Sequence, residues 1–193
     1  MDIGPFKIDV PQEVLDDLGE RLARVRWPSE IPGSGWDCGT NLGYMKELVD
    51  YWLNTYDWRK EEARLNQFPQ FKADVGGLGI HFIRVEGKGP DPMPLLMLRG
   101  YPWSVGTLYR IIPMLTDPVS YGGDSEDAFT VIAPSLCGFC LSDPPLERGF
   151  NVPRHADKYH ELMADGLGYT RYGLEGGDWG GFISGLTAGA LKG

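Results

Sequence analysis

The decapeptide "GLEGGDWGGF", Gly173 to Phe182, sets five glycines around one aspartate, and no other stretch limits the fold as tightly. Glycine reaches positive φ and lets backbones approach closely, at an entropic cost on folding. A cluster of them implies a crowded turn. The spacing Gly176-Gly177-Asp178-Trp179-Gly180 fits small-x-nucleophile-x-small, the pattern of a nucleophile carried on a tight strand-to-helix turn where only small neighbours fit. Ten residues alone also permit a glycine-rich β-turn whose aspartate caps the helix that follows. What flanks the turn separates the two readings.

Upstream, "RYGLEGG" reads as a short strand; downstream, "WGGFISGLTAGAL" opens a helix. The wider chain has the same alternation. "MPLLMLRG" and "AFTVIAPSL" are apolar runs bounded by proline, glycine or polar clusters, the look of strands buried on both faces. "QFKADVGGLGIHFIRVEG" reads as a hairpin turning at Gly76-Gly77. "SVGTLYRIIPMLTD" and "RHADKYHELMADGLG" read as helices, the latter with Ala156, Tyr159, Leu162, Met163 and Leu167 inward, and "PVSYGGDSED" as a loop. Strands alternating with helices predict a mainly parallel sheet wrapped by helices. The first seventy residues differ, reading as helical and peripheral. "PQEVLDDLGERLARVRWP" carries Val14, Leu15, Leu18, Leu22 and Val25 on one face, between Pro11 and Pro28, and two more amphipathic helices rich in Trp and Tyr follow. Asp178 therefore sits between a predicted strand and a predicted helix, as a nucleophile turn requires.

Charge and cysteine usage exclude some function classes. The net charge of −9, without a long basic run, argues against nucleic acid or an anionic membrane surface as partner, since both need a positive footprint. No stretch approaches the roughly 20 apolar residues of a membrane span, and "MDIGPFKIDV" lacks an apolar signal core. A cytoplasmic protein is the expectation. Cys38, Cys137 and Cys140 are too few for a disulfide scaffold. "CGFC" has C-x-x-C spacing but lies in a Gly/Pro loop without a second ligand pair, so packing is its expected role.

Taken together, "RWPSE" after an amphipathic helix, "YDWRKEEARLNQFPQFKADVGGLGIHFIRV", "RGYPWS", "IAPSLCGFCLSDPP" and "LGYTRYGLEGGDWG" resemble the epoxide hydrolases of the microsomal type, from about Pro5 to Trp179. The resemblance implies an α/β fold: an α-helical meander over residues 1–69, then an α/β-hydrolase core whose N-terminal half, residues 70–193, ends just after the nucleophile elbow. It implies Asp178 as the nucleophile that attacks an epoxide carbon, with Gly176, Gly177 and Gly180 as elbow glycines. The choice of residue makes chemical sense. Serine would form an ether that water cannot cleave, whereas a carboxylate forms an ester that water can. Ester hydrolysis passes through an oxyanion, and the resemblance assigns its backbone N–H donors to Trp179 and to Tyr101 of "RGYPWS". A small-molecule epoxide is the implied substrate, with no metal and no cofactor.

Two departures stand out. The family writes the second motif His-Gly-x-Pro, whereas this chain has Arg99-Gly100-Tyr101-Pro102. A guanidinium there is expected as a neighbour of Asp178, favouring the carboxylate or pairing with it. Cys137 and Cys140 stand where the family carries a proline and a glycine. The family's acid, its histidine base and its cap tyrosines are expected beyond residue 193, because His81, His155 and His160 read as packing or surface histidines. From this follow an inactive or single-turnover chain and an exposed "YGLEGG" edge prone to self-association. The alternatives are a non-catalytic binding or assembly module derived from the same family, and a haloalkane dehalogenase using the same aspartate.

Overall fold

The computed structural model describes residues 1–190 and divides the chain into two compact units, Ile8–Arg64 and the remainder.

The smaller unit is built on three helices: α1 (Gln12–Ala23), α2 (Leu42–Asn54) and α3, which runs Trp58–Leu65. Asn41 caps α2 by accepting the Tyr44 N–H at 2.9 Å. Leu15, Leu18 and Leu22 of α1 face Leu48 and Trp52 of α2 across an open apolar groove of about 860 Å³. The predicted stripe on α1 is thus real, although Val14 and Val25 are exposed rather than inward. Glu62 anchors the unit. It accepts the Val10 N–H at 2.7 Å, Trp58 Nε1–H at 3.1 Å and Arg59 Nη1–H at 2.7 Å. The Val10 N–H holds its carboxyl below the usual carboxylate range; burial opposes this as the next-largest effect, and the Arg59 and Trp58 donors add to the lowering.

The larger unit is a six-stranded mixed sheet, β1 (Ile3–Phe6), β2 (Gln70–Asp74), β3 (Gly79–Val85), β4 (Met93–Leu98), β5 (Phe129–Pro134) and β6 (Gly173–Gly176), in the order β1-β2-β3-β5-β4-β6. Pairing is antiparallel from β1 to β5 and parallel from β5 through β4 to β6. The expected hairpin turns where predicted: Gly76 and Gly77 both have positive φ (61° and 83°), and the Val75 N–H donates to Leu78 O at 2.9 Å. β1 is a strand where the sequence reading saw only helix. Four residues containing Pro5 show no period, and proline is tolerated at a sheet edge, where β1 lies.

Helices α4 (Ile111–Thr116), α5 (Val152–Glu161) and α6 (Trp179–Ala190) accompany the sheet. Successive β4 residues Leu96, Met97 and Leu98 are all buried, because both faces are covered. Leu96 and Leu98 join Phe82, Ile132, Tyr159, Leu162 and Ile183 in one core cluster. Met97 joins Ile83, Val131, Leu108 and Ile112 in the other. Three local details depart from the sequence reading. The stretch after Ser104 splits into a 3-10 turn over Val105–Leu108 and then α4. The loop "PVSYGGDSED" contains two further 3-10 turns, and α5 runs on into a π-turn over Leu162–Gly166. Among the described residues β6 pairs with β4 alone, so it forms one edge of the sheet.

Candidate active site

β6 ends at Gly176 and α6 begins at Trp179, which leaves two residues to reverse the chain. Asp178 takes up the reversal with φ 58°, a left-handed conformation that costs an L-residue roughly 1–2 kcal/mol and that aspartate tolerates better than most. The turn is closed by Gly180 N–H to Gly177 O and Gly181 N–H to Asp178 O, each at 3.0 Å, and tied to β4 by Gly177 N–H to Leu98 O at 3.2 Å. Asp178 is exposed.

The crowding predicted from the glycines is unevenly distributed. A Cβ on Gly176 would run into the Gly180 carbonyl and lie 2.6 Å from Ser184 Oγ. One on Gly180 would lie 2.5 Å from Leu98 O. These are the two "small" positions of the motif, and each is glycine because backbone fills the space. Gly177 is different: its φ is not positive, and a Cβ there would meet only Arg99 Nη1, at 3.8 Å. The glycine that the sequence reading passed over is Gly100. A Cβ on it would strike the Asp178 carboxylate and lie 2.7 Å from Trp179 N. Its place in "RGYPWS", immediately before Tyr101, was the available signal.

The loop after β4 therefore leans on the elbow at the carboxylate and at the first amide of α6. Tyr101, next in that loop, is 62% exposed, joined to Pro102 by a cis peptide bond, and its ring lies 5.3 Å from that of Phe139. Trp179 is 50% exposed. Arg99 stands beside the elbow, yet its ion pair is with Glu175, at 2.6 Å, and not with Asp178. Strand register explains the difference. Leu98 is level with Gly176 and Met97 with Glu175, so Arg99 projects to the same face of the sheet as Glu175, while Asp178 lies beyond the strand end.

None of the three histidines has its hydrogen-bond partners at the elbow. His81 is fully buried on β3, with Nε2 2.8 Å from Gln70 Oε1 and Nδ1 2.9 Å from Ser135 Oγ. Because the Gln70 amide nitrogen donates to Leu65 O, its Oε1 must accept; His81 is then the Nε2–H tautomer and takes the Ser135 hydroxyl proton at Nδ1. Burial, reinforced by the Lys72 charge, lowers its pKa to about 4. His155 Nδ1 is 3.0 Å from Asn151 O, and His160 Nδ1 is 2.9 Å from Tyr172 Oη. Of the two loop cysteines expected to pack, only Cys137 does so. Cys137 is buried, its N–H donates to Tyr159 Oη at 3.1 Å, and burial pushes its thiol up to about 11. Cys140 is exposed at φ 52°. All three cysteines are free thiols, and no group of three or more potential metal ligands occurs among the described residues.

Comparison with known proteins accords with this geometry. Residues 3–108 match the family described as "Epoxide hydrolase N terminus", and residues 93–190 match "alpha/beta hydrolase fold". "Epoxide hydrolase 1" of Sus scrofa is 40% identical over 185 residues, which cover 94% of this chain and 40% of that protein. The crystal structure of juvenile hormone epoxide hydrolase from the silkworm Bombyx mori superposes with a TM-score of 0.85 at 36% identity, over 97% of this chain and 44% of that one. The Aspergillus niger epoxide hydrolase structure does so with a TM-score of 0.84 at 32% identity, over 96% and 49% respectively. The chain thus spans less than half the length of these relatives. With the elbow, the Gly100 loop and the mixed sheet in place, the chain belongs to the epoxide hydrolase N-terminus family and carries an α/β-hydrolase fold.

Proposed function

We propose that this chain supplies the nucleophile half of an epoxide hydrolase, which converts an epoxide and water to a vicinal diol. The observation that carries the reading is the exposed Asp178 carboxylate, held in a left-handed turn with Gly100 pressed against it. One Asp178 oxygen attacks an epoxide carbon and the ring C–O bond breaks. The released alkoxide takes a proton, leaving a hydroxyalkyl ester on Asp178. Water then adds to the ester carbonyl through a tetrahedral oxyanion. Tyr101 and Trp179 supply the N–H donors for that oxyanion, and the N-terminus of α6, where Trp179 sits, favours negative charge there. Diol leaves and the carboxylate is restored. The chemistry calls on no metal or cofactor.

The second step needs a base, and His81, His155 and His160 are each engaged elsewhere. The polypeptide of residues 1–193 is therefore expected to form the ester and hold it. Incubation with styrene oxide should add the mass of one epoxide to the intact protein, and peptide mapping should place it on Asp178. Asp178→Asn, which keeps a residue tolerant of the left-handed turn, should abolish the adduct. Labelling that survives this substitution, or that maps to another residue, refutes the assignment.

A further inference from the structure

Beyond Arg99 the loop after β4 is held at buried Gly100, against the elbow, and by the Tyr101 ring beside Phe139. Gly100 has no side chain, and Tyr101, Pro102 and Trp103 are all exposed until Ser104 and Val105 return the chain to cover. Arg99 is only 16% exposed, and its Nη1 makes two bonds, 2.6 Å to Glu175 Oε2 and 3.0 Å to Leu98 O. The Leu98 carbonyl also accepts the elbow's Gly177 N–H. One guanidinium thus joins Leu98, the last residue of β4, to Glu175, one short of the end of β6, at the carbonyl that anchors the turn.

We propose that Arg99 and Glu175 form a positioning pair that sets the Gly100–Tyr101 loop against the elbow, and with it the distance between Asp178 and the Tyr101 amide. This inference rests on reading Asp178 as the nucleophile. The pair is charge-assisted and pre-ordered. Its arginine is shielded, its geometry is fixed by the Leu98 carbonyl, and the two strands supply their ends in register. Neither residue touches the reacting atoms. Both act through Gly100, where no room is left for even a Cβ beside the Asp178 carboxylate and the Trp179 amide, so a small loop shift moves directly into the site.

The test uses the 193-residue polypeptide with Arg99→Gln, Glu175→Gln and the charge reversal Arg99→Glu/Glu175→Arg. Three quantities are read: the saturating rate and half-saturating concentration of Asp178 alkylation by styrene oxide, hydrogen exchange at the Gly177 and Trp179 amides, and the melting temperature. Arg99→Gln should lower the saturating rate about tenfold and leave the half-saturating concentration within about twofold. Exchange at Gly177 should quicken, and the reversal should recover most of both changes. The near-isosteric Glu175→Gln should act in the same direction if Arg99→Gln folds poorly. Parent rates and parent exchange in both single variants overturn the pair, as does a rate loss that tracks melting temperature and is not recovered by reversal. If the parent is not alkylated at all but exchange responds and recovers, the pair stands and the nucleophile assignment falls.

Discussion

Gly180→Ala exposes the packing at the elbow to direct measurement. On helix propensity alone, alanine in α6 should gain about 1 kcal/mol over glycine. The structure reverses the sign. The new methyl would lie 2.5 Å from Leu98 O, 2.6 Å from Leu98 C and 2.9 Å from Leu98 Cβ, roughly 1 Å inside ordinary contact. Leu98 cannot yield without loosening its bond from Gly177 N–H and the β4–β6 pairing. Overpacking against fixed backbone sits at the upper end of the usual ~1–3 kcal/mol, so after the propensity gain the net loss is about 2 kcal/mol. In a chain of this size that lowers Tm by about 4–8 °C. Gly185 is the internal control: it lies on the same helix, is exposed and has nothing within 4 Å of an added Cβ. Gly185→Ala should therefore stabilise by up to about 1 kcal/mol. Urea titrations followed by circular dichroism read both values. Equal gains in the two variants would falsify the steric account of the elbow.

Three further outcomes follow from particular residues. His81 folds with its pKa lowered from 6.5 to about 4, so its stabilising effect is complete above pH 6.5 and is lost as pH falls through that window, by about 1.4 kcal/mol per pH unit. Comparing urea midpoints of the parent and His81→Gln between about pH 7 and pH 5 should show this extra slope in the parent only. Cys140→Gly removes a non-glycine residue from φ 52° and should raise stability by up to about 1 kcal/mol; a loss on thermal melting would show that the thiol packs usefully. Finally, sedimentation velocity of the 193-residue polypeptide should show concentration-dependent association through the β6 edge and the exposed Phe182 and Leu186. A charged Phe182→Lys variant should weaken it, and a parent that stays monomeric at high concentration refutes it.

What the sequence disclosed was whatever depends on neighbours along the chain. The elbow was legible because five glycines within ten residues have few other uses. The hairpin was legible from Gly76-Gly77, and β4 from its unbroken apolar run with both faces buried. What stayed hidden depends on register between strands distant in sequence. Arg99 and Glu175 are 76 residues apart, and only the parallel alignment of β4 with β6 reveals that the guanidinium meets Glu175 and not Asp178. Gly100 was hidden for the same reason, since its partner is an oxygen on another loop. β1 escaped because four residues with a proline have no period to read.

The Leu98 carbonyl receives the Gly177 amide and the Arg99 guanidinium, and it is the atom that Gly180 must clear. A single oxygen is thereby the common datum for two loops that diverge immediately beyond it. Neither loop can be redesigned by itself: exchanging the Asp178 turn while keeping the Tyr101 segment, or the reverse, would carry over coordinates measured from a misplaced origin. The smallest transplantable cassette is Leu98–Tyr101 together with Glu175–Gly180, moved as one piece.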